Sequence, residues 1–439
     1  MAVQCVESSR VEWPVPQVAP KPAKAVDVRT VRVGVLGLGQ VGQAVARLAA
    51  DRRALAGIGV RIVIEQALVR DVRKPRRCPK PPRLTSNASA FLRGRYDVVI
   101  EALDAVEPAR TLVARLLGRG VSVVTANKAL VAAHGPQLTT LAAARGAAFR
   151  YEASALSAVP FLGTLADRPL VSKVDRVLAV VNGTSNFILT AIEEQGLAFD
   201  AAVTEAQRLG YAEPNPSRDL DGLDAADKLT LLASLFGWGQ WSRAALDVSG
   251  IRGVTAADLA AARSIGGTIK AVVGAARRAG GIDAFVGPAF VSSQEPLAAL
   301  GGCLNGIRLD GPHVGNLFFS GPGAGPDVTA STLIDDAIAA LSAQHAPRPV
   351  RARATQTAVP SSPVSPWLLR VTFPGVLPST PAISAVVADA GLPVERVLDH
   401  VSGHSRWLLI GPQGREDVER AIQALAATHR IDAAAFRRV

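Results

Sequence analysis

Cysteine is scarce and scattered: three in 439 residues, at Cys5, Cys78 and Cys303, odd in number and outside any metal-ligand spacing. That distribution excludes a disulfide framework and a cysteine-built metal centre, and a reducing cytoplasm is the expected setting. No segment approaches the roughly 20 uninterrupted apolar residues of a membrane span. The first residues, MAVQCVESSRVEWPVPQVAPKPAK, have no apolar stretch of the secretory kind. Internal repeats are absent too. What remains is a chain with 49% hydrophobic and 19% charged residues, the balance of a globular protein, and long enough for two or three domains.

The net charge of +11 is unevenly placed. Residues 1–95 carry 18 Lys and Arg against 6 Asp and Glu, so the rest is close to neutral. Much of the excess lies between Arg70 and Arg83, RDVRKPRRCPKPPR. A nucleic-acid patch would interleave aromatic residues with the basic ones, whereas this stretch has none and is broken by four prolines. A solvated basic loop beside an anionic cofactor is the expectation, with neither nucleic acid nor membrane as partner.

Residues 1–30 read as a flexible extension, rich in Pro, Ala and Val without periodicity. From Val31 to about residue 150, short apolar runs alternate with helical patterns. Strands are expected at VRVGVLGLG, at GVRIVIEQALVRD, over Tyr96–Ala102 and over Val121–Thr125. Helices are expected over Glu107–Arg119 and Pro136–Arg145. This alternation predicts an α/β fold, a doubly wound parallel Rossmann sheet. Residues 151–344 break the alternation and read as an α+β substrate domain. Its last helix, TASTLIDDAIAALSA, should pack back on the first sheet. Residues 345–366 form a Pro-, Ser- and Arg-rich linker. Residues 367–439 form a small βαββαβ unit of regulatory size.

GLGQVG, Gly37–Gly42, follows a strand and opens a helix, as a dinucleotide fingerprint should. Gly37 permits the tight turn, Gly39 lets backbone approach a pyrophosphate, and Gly42 lets helix and sheet close together. Gln40 and Val41 start the helix whose free N–H groups face the phosphates. Past the second strand, Arg70, Arg73 and Lys74 surround a lone Asp71, which favours the 2′-phosphate of NADP over NAD, with Arg70 and Lys74 the expected contacts. Thr125 and Lys128, in TANK, close the third βα unit at the strand ends where ligands bind. Later, AQRLGYAEPNPSRDLDGLDAADK, Ala206–Lys228, crowds five carboxylates and a lysine around a turn. Pro214, Asn215, Pro216 and Ser217 should form a loop. Beyond Gly222 a helix is expected, on which Asp224 and Lys228 share a face with Leu231 and Leu235. An exposed pair of that spacing is worth only about 0.3–0.5 kcal/mol. The apolar continuation of its stripe points it inward instead.

GLGQVG, TANK, YEAS (Tyr151–Ser154), VNGTSNFILT (Val181–Thr190), the Ala206–Lys228 block and GPGAG (Gly321–Gly325) stand in this order. Across residues 31–340 the chain resembles the homoserine dehydrogenases. The resemblance implies interconversion of L-aspartate 4-semialdehyde and L-homoserine with NADP or NAD, by a homodimer. It implies Lys228 as proton donor, with Lys128 and Asp224 at the same centre. Glu213, Asp219 and Asp224 become substrate-binding acids, Gly210 a close backbone approach, and Gly325 a cofactor contact. The C-terminal unit, with FPGVL at Phe373–Leu377, is similar to the ACT module through which an amino-acid effector acts. Family members also hold a monovalent cation, sodium, through positions matching Glu152 and the carbonyls of Ala155, Ser157 and Val159. Here Leu156 and Ala158 occupy positions that are commonly glycine, and their Cβ atoms narrow the backbone choices. That departure bears on the cation site. It also raises two rival readings: a paralogous reductase of another aldehyde, with Leu156 in its pocket, and a nucleotide-binding sensor without catalysis.

Overall fold

The computed structural model describes residues 28–55, 58–166, 168, 170–278, 281–313, 315–323, 325–341 and 361–439. Residues 1–27 of the expected extension and residues 345–360 of the expected linker lie outside the described residues.

Six parallel strands make the first sheet: β1 (Arg29–Leu36), β2 (Val60–Leu68), β3 (Arg83–Thr85), β4 (Val98–Glu101), β5 (Ser122–Thr125) and β6 (Phe149–Arg150). Their order is β3-β2-β1-β4-β5-β6, so the chain reverses direction of travel between β1 and β4. Four helices, α1 (Gln40–Ala50), α2 (Ala88–Leu92), α3 (Val106–Gly118) and α4 (Lys128–Ala144), connect them. The apolar runs expected as strands are strands because both faces are covered; Val33, Val35, Val98, Val99, Val123 and Val124 are fully buried. Two boundaries differ from expectation. β1 already starts at Arg29, inside the expected extension. α4 starts at Lys128, eight residues before the expected Pro136, because the Asn127 side chain accepts the Leu130 N–H at 2.9 Å and caps it. Pro136 is carried within that helix.

The middle region contributes α5 (Glu152–Ala155), α6 (Leu162–Ala166), β7 (Arg176–Val180), α7 (Gly183–Gln195), α8 (Phe199–Arg208), α9 (Ser217–Leu220) and α10 (Leu223–Leu235). Ser217, expected in a loop, instead opens the short α9. Then come β8 (Asp247–Val248), α11 (Ala256–Ser264), β9 (Gly267–Arg278), β10 (Gly281–Ser292), β11 (Leu304–Gly311), β12 (Gly315–Pro322) and α12 (Pro326–Ala340). α12 does return to the first sheet: Ala330, Leu333, Ile334 and Ala337 share a core with Val31, Val33, Val35 and Ala44.

The C-terminal unit has the expected order, β13 (Ser365–Thr372), α13 (Thr380–Asp389), β14 (Val394–Ser402), β15 (Ser405–Gln413), α14 (Arg415–His429) and β16 (Asp432–Arg438). Its strands extend the second sheet, β12-β11-β7-β9-β10-β16-β13-β15-β14, with β8 also on β10. The join is parallel, Ala289 opposite Arg437 and Phe290 opposite Arg438. Two carboxylates of the middle region hold it. Asp258, wholly buried, accepts from Arg370 and from Trp407 Nε1, the latter at 2.8 Å. Asp247 accepts from Arg415 and Arg437.

Candidate active site

The glycines of GLGQVG behave as their spacing implies. Gly37 has φ +91°, and a Cβ there would lie 2.6 Å from the Ala102 carbonyl oxygen. A Cβ on Gly42 would lie 2.3 Å from the Gly37 oxygen, so helix and turn meet only through glycine. Gly39 has open space on its Cβ side, room for a diphosphate against backbone. Gln40, Val41 and Gly42 form the first turn of α1, whose N–H groups have no helical acceptor. The basic loop folds beside this turn, the Arg77 N–H donating to Gln43 Oε1 at 2.7 Å. The Asp71 carboxylate accepts the Arg73 N–H at 2.8 Å, while the Arg70 and Lys74 side chains stay exposed and have no hydrogen-bond or ion-pair partner among the described residues. These residues fit a nicotinamide dinucleotide. Gly325, at φ +132°, caps α12 across the cleft.

At the carboxyl end of β5, Asn127 aims α4 so that Lys128 leaves its first turn. Lys128 Nζ donates to Asp224 Oδ1, joining the first domain to the second. Lys228, one turn along α10 from Asp224, pairs with Asp224 Oδ2 at 3.0 Å and donates to the Val181 carbonyl. Asn182 completes the cluster. Its Oδ1 accepts the Ser185 N–H at 2.8 Å and caps α7, while Nδ2 donates to Asp219 at 2.7 Å and Asp224 at 2.9 Å. One amide thereby uses its acceptor and both of its donors. Asn305 Nδ2 also donates to the Val181 carbonyl, at 3.1 Å.

The two lysines differ in environment. Lys128 keeps 37% of its side chain exposed and Lys228 only 11%, so Lys128 stands at the mouth of the site and Lys228 at its floor. Burial lowers the Lys228 pKa, opposed by the Asp224 carboxylate and assisted by Lys128. Burial works to raise Asp224, but the ammonium groups of Lys228 and Lys128 outweigh it and hold the carboxyl well below its usual range. Asp219 is raised by burial against the Asn182 hydrogen bond. The arrangement holds an ammonium of reduced basicity between the Asp224 carboxylate and the Val181 carbonyl, which suits proton transfer to and from a substrate oxygen.

The structure thus gathers Lys128, Lys228, Asp219 and Asp224. Glu213 stands apart: it is exposed, and among the described residues its carboxylate has no recorded hydrogen bond or ion pair. Gly210, at φ +77°, ends α8, with the Tyr211 and Ala212 N–H groups returning to the Ala206 carbonyl at 2.9 and 3.2 Å. Its glycine is a helix stop in the first place. The sequence reading gave no role to Asn182, Asn305 or the Val181 carbonyl. Asn182 and Val181 lie in VNGTSNFILT, and the signal for Asn182 was its position before a helical run, which suggests a cap.

Three of the four expected cation ligands accept hydrogen bonds. Glu152 accepts the N–H groups of Phe161 (2.9 Å), Leu162 (2.8 Å) and Gly163 (2.6 Å), capping α6. The Ser157 carbonyl accepts the Thr332 hydroxyl at 3.1 Å, and the Val159 carbonyl the Phe161 N–H at 3.0 Å. For Ala155 no hydrogen bond to the carbonyl is recorded. The strained backbone is at Ser157, φ +52°, and not at Leu156 or Ala158. Leu156 is 1% exposed among Val159, Phe161 and Leu165, so it does not line an open pocket.

Fold and site define a nicotinamide-dependent oxidoreductase acting on a CH–OH group. Family models agree in detail: one described as homoserine dehydrogenase matches residues 160–338, and one described as homoserine dehydrogenase, NAD binding domain, matches residues 37–152. A homoserine dehydrogenase of Synechocystis is 35% identical over 315 residues, 70% of this chain and 73% of that relative. One of Mycobacterium leprae is 37% identical over 323 residues, 72% and 73% respectively. The crystal structure of a homoserine dehydrogenase from Thiobacillus denitrificans superposes with a TM-score of 0.80 at 30% identity, covering 94% of this chain and 99% of that one. A hyperthermophilic archaeal homoserine dehydrogenase in complex with NADPH superposes at 0.57 and 26% identity, covering 71% and 98%. The chain belongs to the homoserine dehydrogenase family. Its reaction is the nicotinamide-dependent interconversion of L-aspartate 4-semialdehyde and L-homoserine, a step of amino-acid biosynthesis.

Proposed function

We propose that Lys228 is the proton donor and acceptor of this reaction, with Lys128 and Asp224 beside it. The observation that carries the reading is the Lys128–Asp224 pair, which spans the cleft between the dinucleotide-binding sheet and the acid turn. The bound nicotinamide supplies hydride to the aldehyde carbon and accepts it back from the alcohol. As the aldehyde oxygen gains negative charge, Lys228 delivers a proton to it; in oxidation neutral Lys228 removes that proton. Lys128, nearer solvent, places a second positive charge at the developing alkoxide. Asp219 and Asp224 receive the substrate ammonium, and Glu213, now exposed, joins them when the turn closes over the substrate. Gly210 lets the chain after α8 turn toward that substrate.

The cofactor proposed is NADP, bound by Gly37, Gly39, Gln40, Val41, Gly42, Thr125 and Gly325. Arg70 and Lys74 take the 2′-phosphate, being exposed cations beside the first turn of α1. No step is routed through sodium. We place the boundaries at residues 31–150 for cofactor and 151–344 for substrate, with residues 367–439 as an ACT-like unit. Its strand order β16-β13-β15-β14 and the FPGVL turn support an amino-acid effector there. A homodimer is proposed from the family analogy. A cytoplasmic setting is proposed from the cysteine distribution; no helix among the described residues is long and apolar enough to cross a membrane.

Homoserine oxidation measured with each nicotinamide cofactor, on the wild type and Lys228→Ala, tests the reading. Turnover should fall about 10²–10⁴-fold in the variant with cofactor affinity retained. Unchanged turnover removes Lys228 from the mechanism.

A further inference from the structure

Glu101 ends β4 wholly buried, and proton transfer as described makes no use of it. In register, Leu36, Glu101 and Thr125 stand side by side on β1, β4 and β5, at the carboxyl edge where the sheet order reverses. Ligands of such sheets lie against that edge. Glu101 Oε1 accepts the Leu103 N–H at 2.7 Å and Oε2 accepts the Thr125 hydroxyl. Thr125 Oγ1 in turn accepts the Asn127 N–H at 2.9 Å. Asn127 caps α4 through Oδ1, and its Nδ2 donates to the Ala105 carbonyl at 3.0 Å. Lys128 is the next residue and the first of α4. One buried carboxyl therefore fastens both loops at the switch point, 102–105 and 125–128, and the second delivers the lysine that crosses to Asp224.

A carboxyl is an expensive choice for a purely structural clasp. Burial pushes Glu101 up to about 7, against the hydrogen bonds of Thr125, Leu103 and Asn127, and the charged group acting on it is another acid, Asp104. Near neutrality it therefore exists in two forms. The ionised form accepts from both donors; the protonated form has an O–H that can no longer accept from one of them.

We infer that Glu101 is a positioning residue that, through Thr125 and Asn127, sets the direction in which Lys128 reaches Asp224. This rests on the place of Lys128 in the reaction given above. A displacement of about 1 Å at a reacting group can cost about a hundredfold in rate.

The test uses the full chain with Glu101→Gln, Thr125→Val, Thr125→Ser and Lys128→Ala, reading kcat and KM across neutral pH. Expected are kcat losses of about tenfold to a hundredfold in E101Q and T125V. KM for the cofactor should stay near wild type in E101Q, and T125S, which keeps the hydroxyl, should lose less kcat than T125V. The double variant E101Q/T125V should be no worse than its worse parent, because both break one linkage. In the direction of aldehyde reduction, wild-type kcat should drop as pH falls through neutrality, and E101Q should lack that limb. Wild-type kcat in E101Q and T125V, additive losses, or an unaltered pH limb in E101Q would each overturn the inference. Should E101Q not fold, the contrast between T125V and T125S decides: equal kcat values overturn it. A slow K128A beside an unimpaired E101Q removes this inference alone; an unimpaired K128A removes the role of Lys128 and the inference with it.

Discussion

Lys128 and Lys228 share one carboxylate from opposite sides, the first on Asp224 Oδ1 and the second on Oδ2 at 3.0 Å. They come from different domains, 100 positions apart in the sequence. Two ammonium groups at one acid repel each other, and that repulsion adds to burial in making Lys228 a readier proton donor than an exposed lysine. In the proposed reaction these ammonium groups meet a group that becomes negative, as an aldehyde oxygen does when hydride arrives.

The two directions of the reaction should show opposite pH limbs. Reduction needs charged Lys228, so its kcat should fall as pH rises through the depressed pKa; oxidation needs neutral Lys228, so its kcat should rise. Both midpoints should lie below the roughly 10.4 of a free lysine. Asp224 favours the ammonium form, so Asp224→Asn should move the midpoint further down. Steady-state rates in both directions check this, and a midpoint at or above the ordinary lysine value refutes it.

Cofactor choice should depend on the basic loop. Arg70→Ala or Lys74→Ala removes a charged contact worth about 1.5–3 kcal/mol, so KM for NADPH should rise about tenfold or more. KM for NADH should barely move. Equal effects on both cofactors would mean that the loop contacts the common diphosphate or nothing at all.

The C-terminal unit should loosen when Asp258 is lost. Its carboxylate, wholly buried, pairs with Arg370 and accepts from Trp407 and from the Thr255 N–H. Asp258→Ala leaves the Arg370 guanidinium without its counter-ion, with only the Thr255 hydroxyl as acceptor, and the Trp407 indole N–H unpartnered, and should destabilise by about 3–5 kcal/mol. Asp258→Asn, which keeps an acceptor, should cost less. Urea unfolding of both variants measures the difference, and a loss below about 1 kcal/mol in Asp258→Ala would show that strand pairing alone holds the unit.

Much of the fold was legible before any coordinates. The first sheet follows from alternating apolar runs and helical stretches. The return of α12 and the βαββαβ order of the last unit were also readable, because local periodicity carries both. Asp224 and Lys228 could be paired by their helical spacing alone. The onset of α4 was expected at Pro136 and lies at Lys128, where the Asn127 side chain caps the helix. Strand β9 went unassigned because its small residues, GTIKAVVGAARR, show no clean alternation. The contacts of Glu152 with the N–H groups of Phe161, Leu162 and Gly163, which cap α6, could not be read from the sequence.

The order of residues along the chain determined which segments coil, which extend, where a dinucleotide can approach backbone, and which lysine shares a helix face with an acid. These are short-range matters, settled within a few turns by periodicity and backbone freedom. Folding in three dimensions alone decided that Lys128 meets Asp224, that Asn182 bridges two acids while capping a helix, and that Glu101 ties two loops together. Each depends on groups brought together from distant strand and helix ends, where burial makes every unpaired polar atom costly and so selects its partners.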